Sequence, residues 1–111
     1  MLKKVKRRYL ALTIDSSETF NSSEFIDAVW NSISKLYGER GASTVNLSMI
    51  SFDGETKSVV LRVGHASLEL VKTALASITK IGNKPAAAHV LTVSGTLKAL
   101  HKKMWSAHIY N

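Results

Sequence analysis

Large aliphatic side chains recur at every second position in several short stretches of the chain, for example along residues 8–14. A period of two residues is typical of a β-strand that buries one face in a core. The second and third stretches are separated by Asp53-Gly54, a frequent hairpin turn. We predict four strands, at residues 8–14, 45–52, 57–64 and 88–93.

Between the first two strands the period changes to that of a helix. Asn21 is a good N-cap, and Glu24 three residues later can complete a capping box. Hydrophobic residues then recur on one face as far as Tyr37, and Gly38 and Gly41 offer C-terminal stops. We interpret this aromatic-rich face as core, because all of its members lie on one side of the helix.

A second helix is predicted between strands three and four. Ser67 can cap its start, its apolar stripe extends from Leu68 to Ile78, and Gly82 and Pro85 close it. A third helix follows the last strand, and its apolar stripe consists of Leu97, Leu100 and Met104.

The order of these elements is β-α-β-β-α-β, followed by a helix. This order predicts an α+β fold, a ferredoxin-like (RRM-like) sandwich with an additional C-terminal helix, as a single domain over residues 1–111. Right-handed crossovers place strands one and three in the centre, parallel to each other, with strand four antiparallel beside strand one. Both crossover helices cover one face. The opposite face, called the outer face below, is expected to be covered by the last helix or by another protein.

Composition restricts the function further. The 111 residues are 45% hydrophobic, which suits one domain with a real core, and they include no cysteine. The lack of cysteine excludes disulfides, thiolate metal sites and thiol catalysis, and it fits a reducing, cytoplasmic environment. No apolar run approaches the ~20 residues that span a bilayer, so we expect no membrane partner.

Positive charge is concentrated at the two termini. The chain carries 15 lysines and arginines against 8 acidic residues, a formal net charge of +7. Such clustering favours a polyanion as partner. Since the start of strand one lies beside the end of strand four in the predicted sheet, the two clusters should meet. The N-terminal cluster consists of Lys3, Lys4, Lys6, Arg7 and Arg8, and the C-terminal cluster consists of Lys98, Lys102 and Lys103.

Three further residues are predicted at the same end of the sheet. Lys57 opens strand three, and Gly95 and Thr96 begin the last helix, where backbone N–H groups are free to meet a phosphate. An ordinary cap and turn is the alternative interpretation of Gly95 and its neighbours. Strand three lacks the stacking aromatic residues of RNA-recognition sheets. We therefore expect contacts to a phosphate backbone and not base reading.

No catalytic or metal site is predicted. The four histidines are scattered, and the sequence contains no HExxH motif, no GxSxG elbow and no Gly-rich phosphate loop. The chain by itself is therefore interpreted as non-catalytic, and we expect it to bind no cofactor.

Four segments, in this order and spacing, resemble the ribonuclease P protein component 2 family, the small archaeal and eukaryal subunit of ribonuclease P. The last of them, a β-branched strand followed by Ser-Gly-Thr and a basic helix, is the most specific. The small size of the chain is similar to that of archaeal members. The segments are KRRYLALTI, LRVGH, LVKTALASITKIG and VLTVSGTLKAL.

This resemblance implies a subunit of an endoribonuclease that removes the 5′ leader of precursor tRNA. In that family the RNA subunit holds the catalytic Mg²⁺ ions. Component 2 binds this RNA near its catalytic domain and pairs with protein component 3, and the two proteins stabilise the active RNA. The basic residues named above are the RNA-contact candidates, chosen by charge and topology. Self-association, as a homodimer or within a heterotetramer, is left open.

Two other functions are compatible with the same pattern. A small-ligand-sensing regulatory domain of this topology would need a defined apolar pocket. A ribosome-associated RNA-binding protein would bind RNA but would not restore the cleavage of precursor tRNA.

Overall fold

The computed structural model describes residues 6–100 and 102, and its elements follow the predicted order with one additional small hairpin. A single 3₁₀ turn at His65–Ser67 leads into the second helix. In chain order the elements are β1 (Arg7–Asp15), α1 (Ser22–Ser43), β2 (Leu47–Asp53), β3 (Ser58–Gly64), α2 (Leu68–Ala76), β4 (Lys80–Ile81), β5 (Lys84–Pro85), β6 (Ala87–Ser94) and α3, of which residues 97–100 and 102 are described.

The four long strands form one sheet in the order β2-β3-β1-β6, with β1 and β3 in the centre as predicted. The prediction that β1 and β3 are parallel is wrong, because Arg7 pairs with Gly64 and Thr13 with Ser58 in an antiparallel register. The α1 crossover makes β2 parallel to β1, and the hairpin between β2 and β3 then reverses the chain. The α+β, ferredoxin-like fold class is confirmed.

Helices α1 and α2 pack on one face of the sheet and form the main core with it. Phe25 of α1 is fully buried against the sheet, and burial of a side chain of this size contributes about 1.5–3 kcal/mol. The fully buried residues of this core include Leu10, Phe25, Val29, Ile33, Leu61, Val63, Val71 and Ile81.

Helix α1 begins as predicted and ends later than predicted. The Glu24 N–H donates to Asn21 Oδ1 at 2.8 Å, and the Asn21 N–H donates to Glu24 Oε1 at 3.2 Å, which completes the capping box. Gly38 kinks the helix (φ 74°, ψ 175°) without ending it, and the last turns extend to Ser43. This conformation is accessible to glycine almost alone, so the residue serves as a bend within the helix.

Helix α2 ends at Ala76, and the prediction that Gly82 closes it is wrong. Gly82 (φ 57°) and Asn83 (φ 68°) are instead the two central residues of the turn that joins β4 to β5. Two consecutive residues with positive φ are typical of a type I′ hairpin turn. Ser67 occupies the predicted N-cap position, but its side chain makes no capping hydrogen bond.

Helix α3 packs on the outer face of the sheet, which confirms one of the two predicted coverings. Leu100 is fully buried together with Ala11 of β1 and Val60 of β3, and Tyr9 and Leu97 pack around them. The described part of α3 therefore crosses from the end of β6 over the two central strands. Met104, the third residue predicted for its apolar stripe, lies outside the described residues.

Candidate nucleic-acid interface

One end of the sheet, called the basic end below, brings together the start of β1, the end of β3 and the end of β6. Tyr9 of β1 pairs with Ser94 of β6, so the residues before Tyr9 lie beside those after Ser94. On the other side of β1 the His65 N–H donates to the Lys6 carbonyl oxygen at 2.7 Å. Backbone pairing with β3 and His65 therefore holds residues 6–8 in place, and pairing with β6 begins at the next residue, Tyr9.

The side chain of Arg8 reaches from the N-terminal cluster to the start of α3. Its Nη1 donates to the Arg7 carbonyl oxygen at 3.1 Å. A methyl group placed on Gly95 would lie 3.5 Å from the same Nη1, so the guanidinium lies against the Gly95 backbone. The predicted proximity of the start of β1 to the end of β6, from which the two clusters extend, is therefore confirmed.

The C-terminal side of the basic end is formed by the first turn of α3. Lys98 and Lys102 are exposed and lie four residues apart on this helix. The Thr96 hydroxyl caps the helix by accepting from the Ala99 N–H at 3.1 Å. Thr96 thus has the ordinary capping role that was the alternative interpretation, while Ser94 is a buried strand residue.

The described cations of the basic end are not paired with described carboxylates. Lys6 and Arg7 are exposed, as are both α3 lysines, and Arg8 is half-buried. Within residues 6–100 and 102 none of the five forms an ion pair with a carboxylate. Cations that lie within a Debye length of one another, about 8–10 Å, reinforce a shared positive potential.

Lys57 does not belong to this end of the sheet, and its predicted placement is wrong. Its carbonyl oxygen accepts from the Ile14 N–H at 2.9 Å, so it lies where β1 finishes. Its ammonium donates to the carbonyl oxygen of Ser16. The misplacement follows from the wrong direction assigned to β3: an antiparallel β3 begins at the far end.

That far end, called the acidic end below, carries Asp15 and Asp53 at the last positions of β1 and β2, and Glu18 and Glu55 in the loops that follow them. The N–H groups of Thr56 and Glu55 donate to Asp53 Oδ1 at 3.3 and 3.0 Å, and these bonds lower the pKa of Asp53 below its usual value. The nine residues of β1 separate the two ends by about 27 Å, several Debye lengths, so their fields act independently.

Sequence reasoning missed two residues near the basic end. Arg62 lies on the outer face of β3, paired with Tyr9, and His65 is exposed directly after β3. The correct direction of β3 would have revealed both, because the end of β3 then joins the start of β1.

Three of the predicted RNA-contact residues lie outside the described residues. Lys3 and Lys4 precede the described residues, and Lys103 lies beyond them, so their RNA-binding role stays a prediction.

An open groove of about 980 Å³ lies between α1 and the chain that follows α2. A small-ligand-sensing domain would need a defined apolar pocket, whereas this groove is lined largely by polar side chains such as Asp27, Asn31, Ser77 and Thr79. The geometry of this groove therefore gives the small-ligand alternative no specific support.

The described part of the chain shows neither a metal site nor a membrane-spanning helix. Within it, no three histidine or acidic side chains come together in a way that could hold a metal ion. Likewise, no helix there is both long and apolar enough to cross a membrane.

The chain is similar to proteins of one family over most of its length. The model of the Rpp14/Pop5 family matches residues 8–105. Ribonuclease P protein component 2 of Pyrococcus furiosus is 33% identical over 101 residues, which cover 91% of this chain and 84% of the relative. The protein of the same name from Methanosarcina mazei is 32% identical over 100 residues, which cover 90% of this chain and 84% of the relative.

A solved structure shares the fold. A chain of the cryo-EM structure of yeast ribonuclease MRP superposes with a TM-score of 0.72 and covers 97% of this chain and 95% of its own length. The two sequences are 17% identical, so this likeness concerns the arrangement of strands and helices alone.

Proposed function

The chain belongs to the Rpp14/Pop5 family, and we propose that it acts as a protein subunit of ribonuclease P that binds the catalytic RNA through its basic end. In this proposal the RNA, with its Mg²⁺ ions, removes the 5′ leader of precursor tRNA, and the chain itself supplies no catalytic group. The observation that carries the proposal is the closeness of the Arg8 guanidinium to Gly95, which brings the N-terminal basic cluster to the start of α3.

The mechanism is neutralisation of phosphate repulsion where RNA segments converge. Five described cations without carboxylate partners share the basic end. Each cation that meets a phosphate releases a condensed counterion and steepens the salt dependence of binding by about 0.7–0.9 units of log–log slope. Such a surface favours a folded RNA over its open forms, because the folded RNA has the higher local density of phosphates and therefore the stronger repulsion to neutralise.

The contact is proposed to be with the backbone and not with stacked bases. Strand β3 carries no aromatic residue, and Tyr9, the aromatic residue that β1 places on the outer face, packs against the cluster of Ala11, Val60 and Leu100. The stacking platform of typical RNA-recognition sheets therefore has no counterpart in the described residues.

Protein component 3 is the proposed protein partner, on the basis of the family. A homodimer or a heterotetramer and a cytoplasmic location stay predictions.

Reconstitution tests the proposal. The chain should be added, with component 3, to ribonuclease P RNA at a moderate magnesium concentration, and the cleavage of precursor tRNA should be followed. We expect cleavage to be restored by the native chain and to need more magnesium with the Arg7→Gln/Arg8→Gln variant. Lys57→Gln, at the acidic end, is the matched control and should restore cleavage fully. An absence of any stimulation by the native chain would contradict the proposed function.

A further inference from the structure

We propose that Arg62 extends the RNA-binding surface from the basic end onto the outer face of the sheet, where its guanidinium binds a phosphate of the RNA. This inference rests on the proposed function, since it takes the polyanion to be an RNA that already contacts the basic end.

The position of Arg62 is continuous with the basic end. In β3 it pairs with Tyr9 of β1 on one side and with Ser48 of β2 on the other. The next residue of β3 on the same face is Gly64, which pairs with Arg7. Arg62 therefore lies about 7 Å from the end of the strand, within one Debye length of the N-terminal cations.

Helix α3 crosses β3 next to Arg62 and not over it. Leu100 packs against Val60 and Ala11, each of which lies two residues further from the basic end than Arg62 and its partner Tyr9. Arg62 consequently lies between the place where the helix crosses β3 and the basic end. The side chain is half-buried in this position.

No described carboxylate forms an ion pair with Arg62. Its single side-chain hydrogen bond among the described residues goes from Nη2 to the neutral Ser48 Oγ at 3.5 Å, the limit for such a bond. The carboxylates that the strands bring to this face, Asp15 and Asp53, lie at the acidic end. From Arg62 to Ser58, the partner of Asp53, the distance along β3 is about 13 Å.

Three other half-buried cations have a hydrogen-bond or ion-pair partner within the chain. The Lys57 ammonium donates to the Ser16 carbonyl oxygen, Lys84 Nζ donates to the Thr19 carbonyl oxygen at 2.9 Å, and Lys72 lies 3.8 Å from Glu69. A half-buried guanidinium in a central strand loses hydration that a bound anion would replace. Its planar fork of donors suits the oxygens of a phosphate.

The test measures RNA affinity against salt concentration for the full chain, with ribonuclease P RNA and with an oligouridylate of about 20 nucleotides as probes. Arg62→Gln should lower the slope by about 0.7 units and the affinity about five-fold at 0.1 M salt, the loss of one single-strand phosphate contact. Arg62→Lys, which keeps the charge, should retain most of the slope. Lys80→Gln, an exposed lysine on the side of α1, should change neither quantity.

Ser48→Ala separates binding from support of the sheet. It removes the internal partner of Arg62 and should leave RNA binding unchanged. A loss as large as that of Arg62→Gln would show that Arg62 only joins β3 to β2, and would overturn the inference. If Arg62→Gln does not fold, the Nε–H signal of Arg62 in the NMR spectrum of the native chain decides. It should shift on addition of the oligouridylate, and an unmoved signal overturns the inference.

The failures of the two proposals differ. If Arg62→Gln binds both RNAs as Lys80→Gln does, Arg62 is excluded and the proposed function is unaffected. If the native chain binds the oligouridylate as well as ribonuclease P RNA, the proposed function loses its specificity, while the effect of Arg62→Gln on the slope is still measured. If the native chain binds neither RNA, both proposals are overturned.

Discussion

The two ends of the sheet use positive charge in opposite ways. At the acidic end, Lys57 and Lys84 donate to backbone carbonyl oxygens of the loop after β1, and Lys84 also lies 3.8 Å from Glu24. At the basic end, Lys6, Arg7 and the α3 lysines have no carboxylate partner among the described residues. The first set closes loops, and the second set is available to an external anion.

This contrast shows that residue type alone does not define a binding cation. A lysine beside a chain reversal finds unpaired carbonyl oxygens, and the bond to them stabilises the loop. Among the described cations of the basic end, Arg8 donates to the carbonyl oxygen of the neighbouring Arg7, and the other four make no described side-chain hydrogen bond, so they are available to a partner. Substitutions at the two ends of the sheet test this distinction, and they are given in order of decreasing effect.

The first prediction concerns a variant that weakens the packing of α3 and leaves the charge of the basic end unchanged. Leu100→Ala empties the site between Ala11 and Val60, and a fully buried leucine of this kind costs about 2–5 kcal/mol when truncated. RNA affinity should fall as well, since Lys98 and Lys102 lose their fixed position. Urea unfolding and RNA binding measure the two effects. Leu91→Ala, at a residue that is 57% exposed, is the control, and equal stability of the two variants would contradict the packing of α3.

The second prediction concerns a double variant that lacks two positive charges of the basic end. Arg7→Gln together with Arg8→Gln should reduce the slope of log affinity against log salt by about 1.4–1.8 units, which corresponds to a loss of roughly 25- to 60-fold at 0.1 M salt. Lys57→Gln should leave the slope unchanged and lower only the thermal stability, because its ammonium bonds internally. Equal slopes for the two variants would remove the difference between the ends.

The third prediction compares a glycine from each end. A methyl group on Gly82 would strike the Glu24 carboxylate, and its φ of 57° is unfavourable for other residues, so Gly82→Ala should cost about 1 kcal/mol or more. A methyl group on Gly95 would be in ordinary contact, 3.5 Å from Arg8 Nη1, and Gly95→Ala should fold with nearly native stability. Thermal unfolding of the two variants checks this order, and the reverse order would refute it.

The smallest expected effect concerns Asp53. Two backbone N–H groups lower its pKa in the folded chain, so the carboxylate stabilises the turn above the unfolded pKa of about 3.9. This contribution is lost as the pH falls through the lower folded value. Asp53→Asn should therefore melt slightly below the native chain at pH 7, and the difference should fade below about pH 4. Glu55→Gln, whose carboxylate accepts no described hydrogen bond, is the control, and a difference that persists in acid would contradict the assignment.

Local patterns in the sequence were sufficient for the elements and much of the core. The alternation along β1 and the capping box of Asn21 and Glu24 depend on neighbouring residues alone, and the structure confirms both. Gly82 could not be assigned in this way, because a left-handed glycine suits both a helix end and a hairpin turn. The turn is selected by the burial of Ile78 and Ile81 in the core, which is a tertiary effect.

The candidate interface was predictable where it depended on pairing between β1 and β6 and failed where it depended on the direction of β3. One topological error moved Lys57 to the wrong end and kept Arg62 away from the right one. In a strand with alternating faces, an outward arginine resembles an ordinary solvent-exposed residue. Arg62 becomes a candidate only when the register of the neighbouring strands places the described carboxylates of that face, Asp15 and Asp53, at the other end of the sheet.

The most direct test of the central claim is an NMR titration of the isotopically labelled chain with ribonuclease P RNA fragments. We predict that the largest shifts in backbone amide signals fall at the basic end, on residues 6–8, 62–65 and 94–98. We expect these shifts to become smaller as salt is added. Largest shifts on residues 15–18 and 53–57, at the acidic end, would contradict this claim.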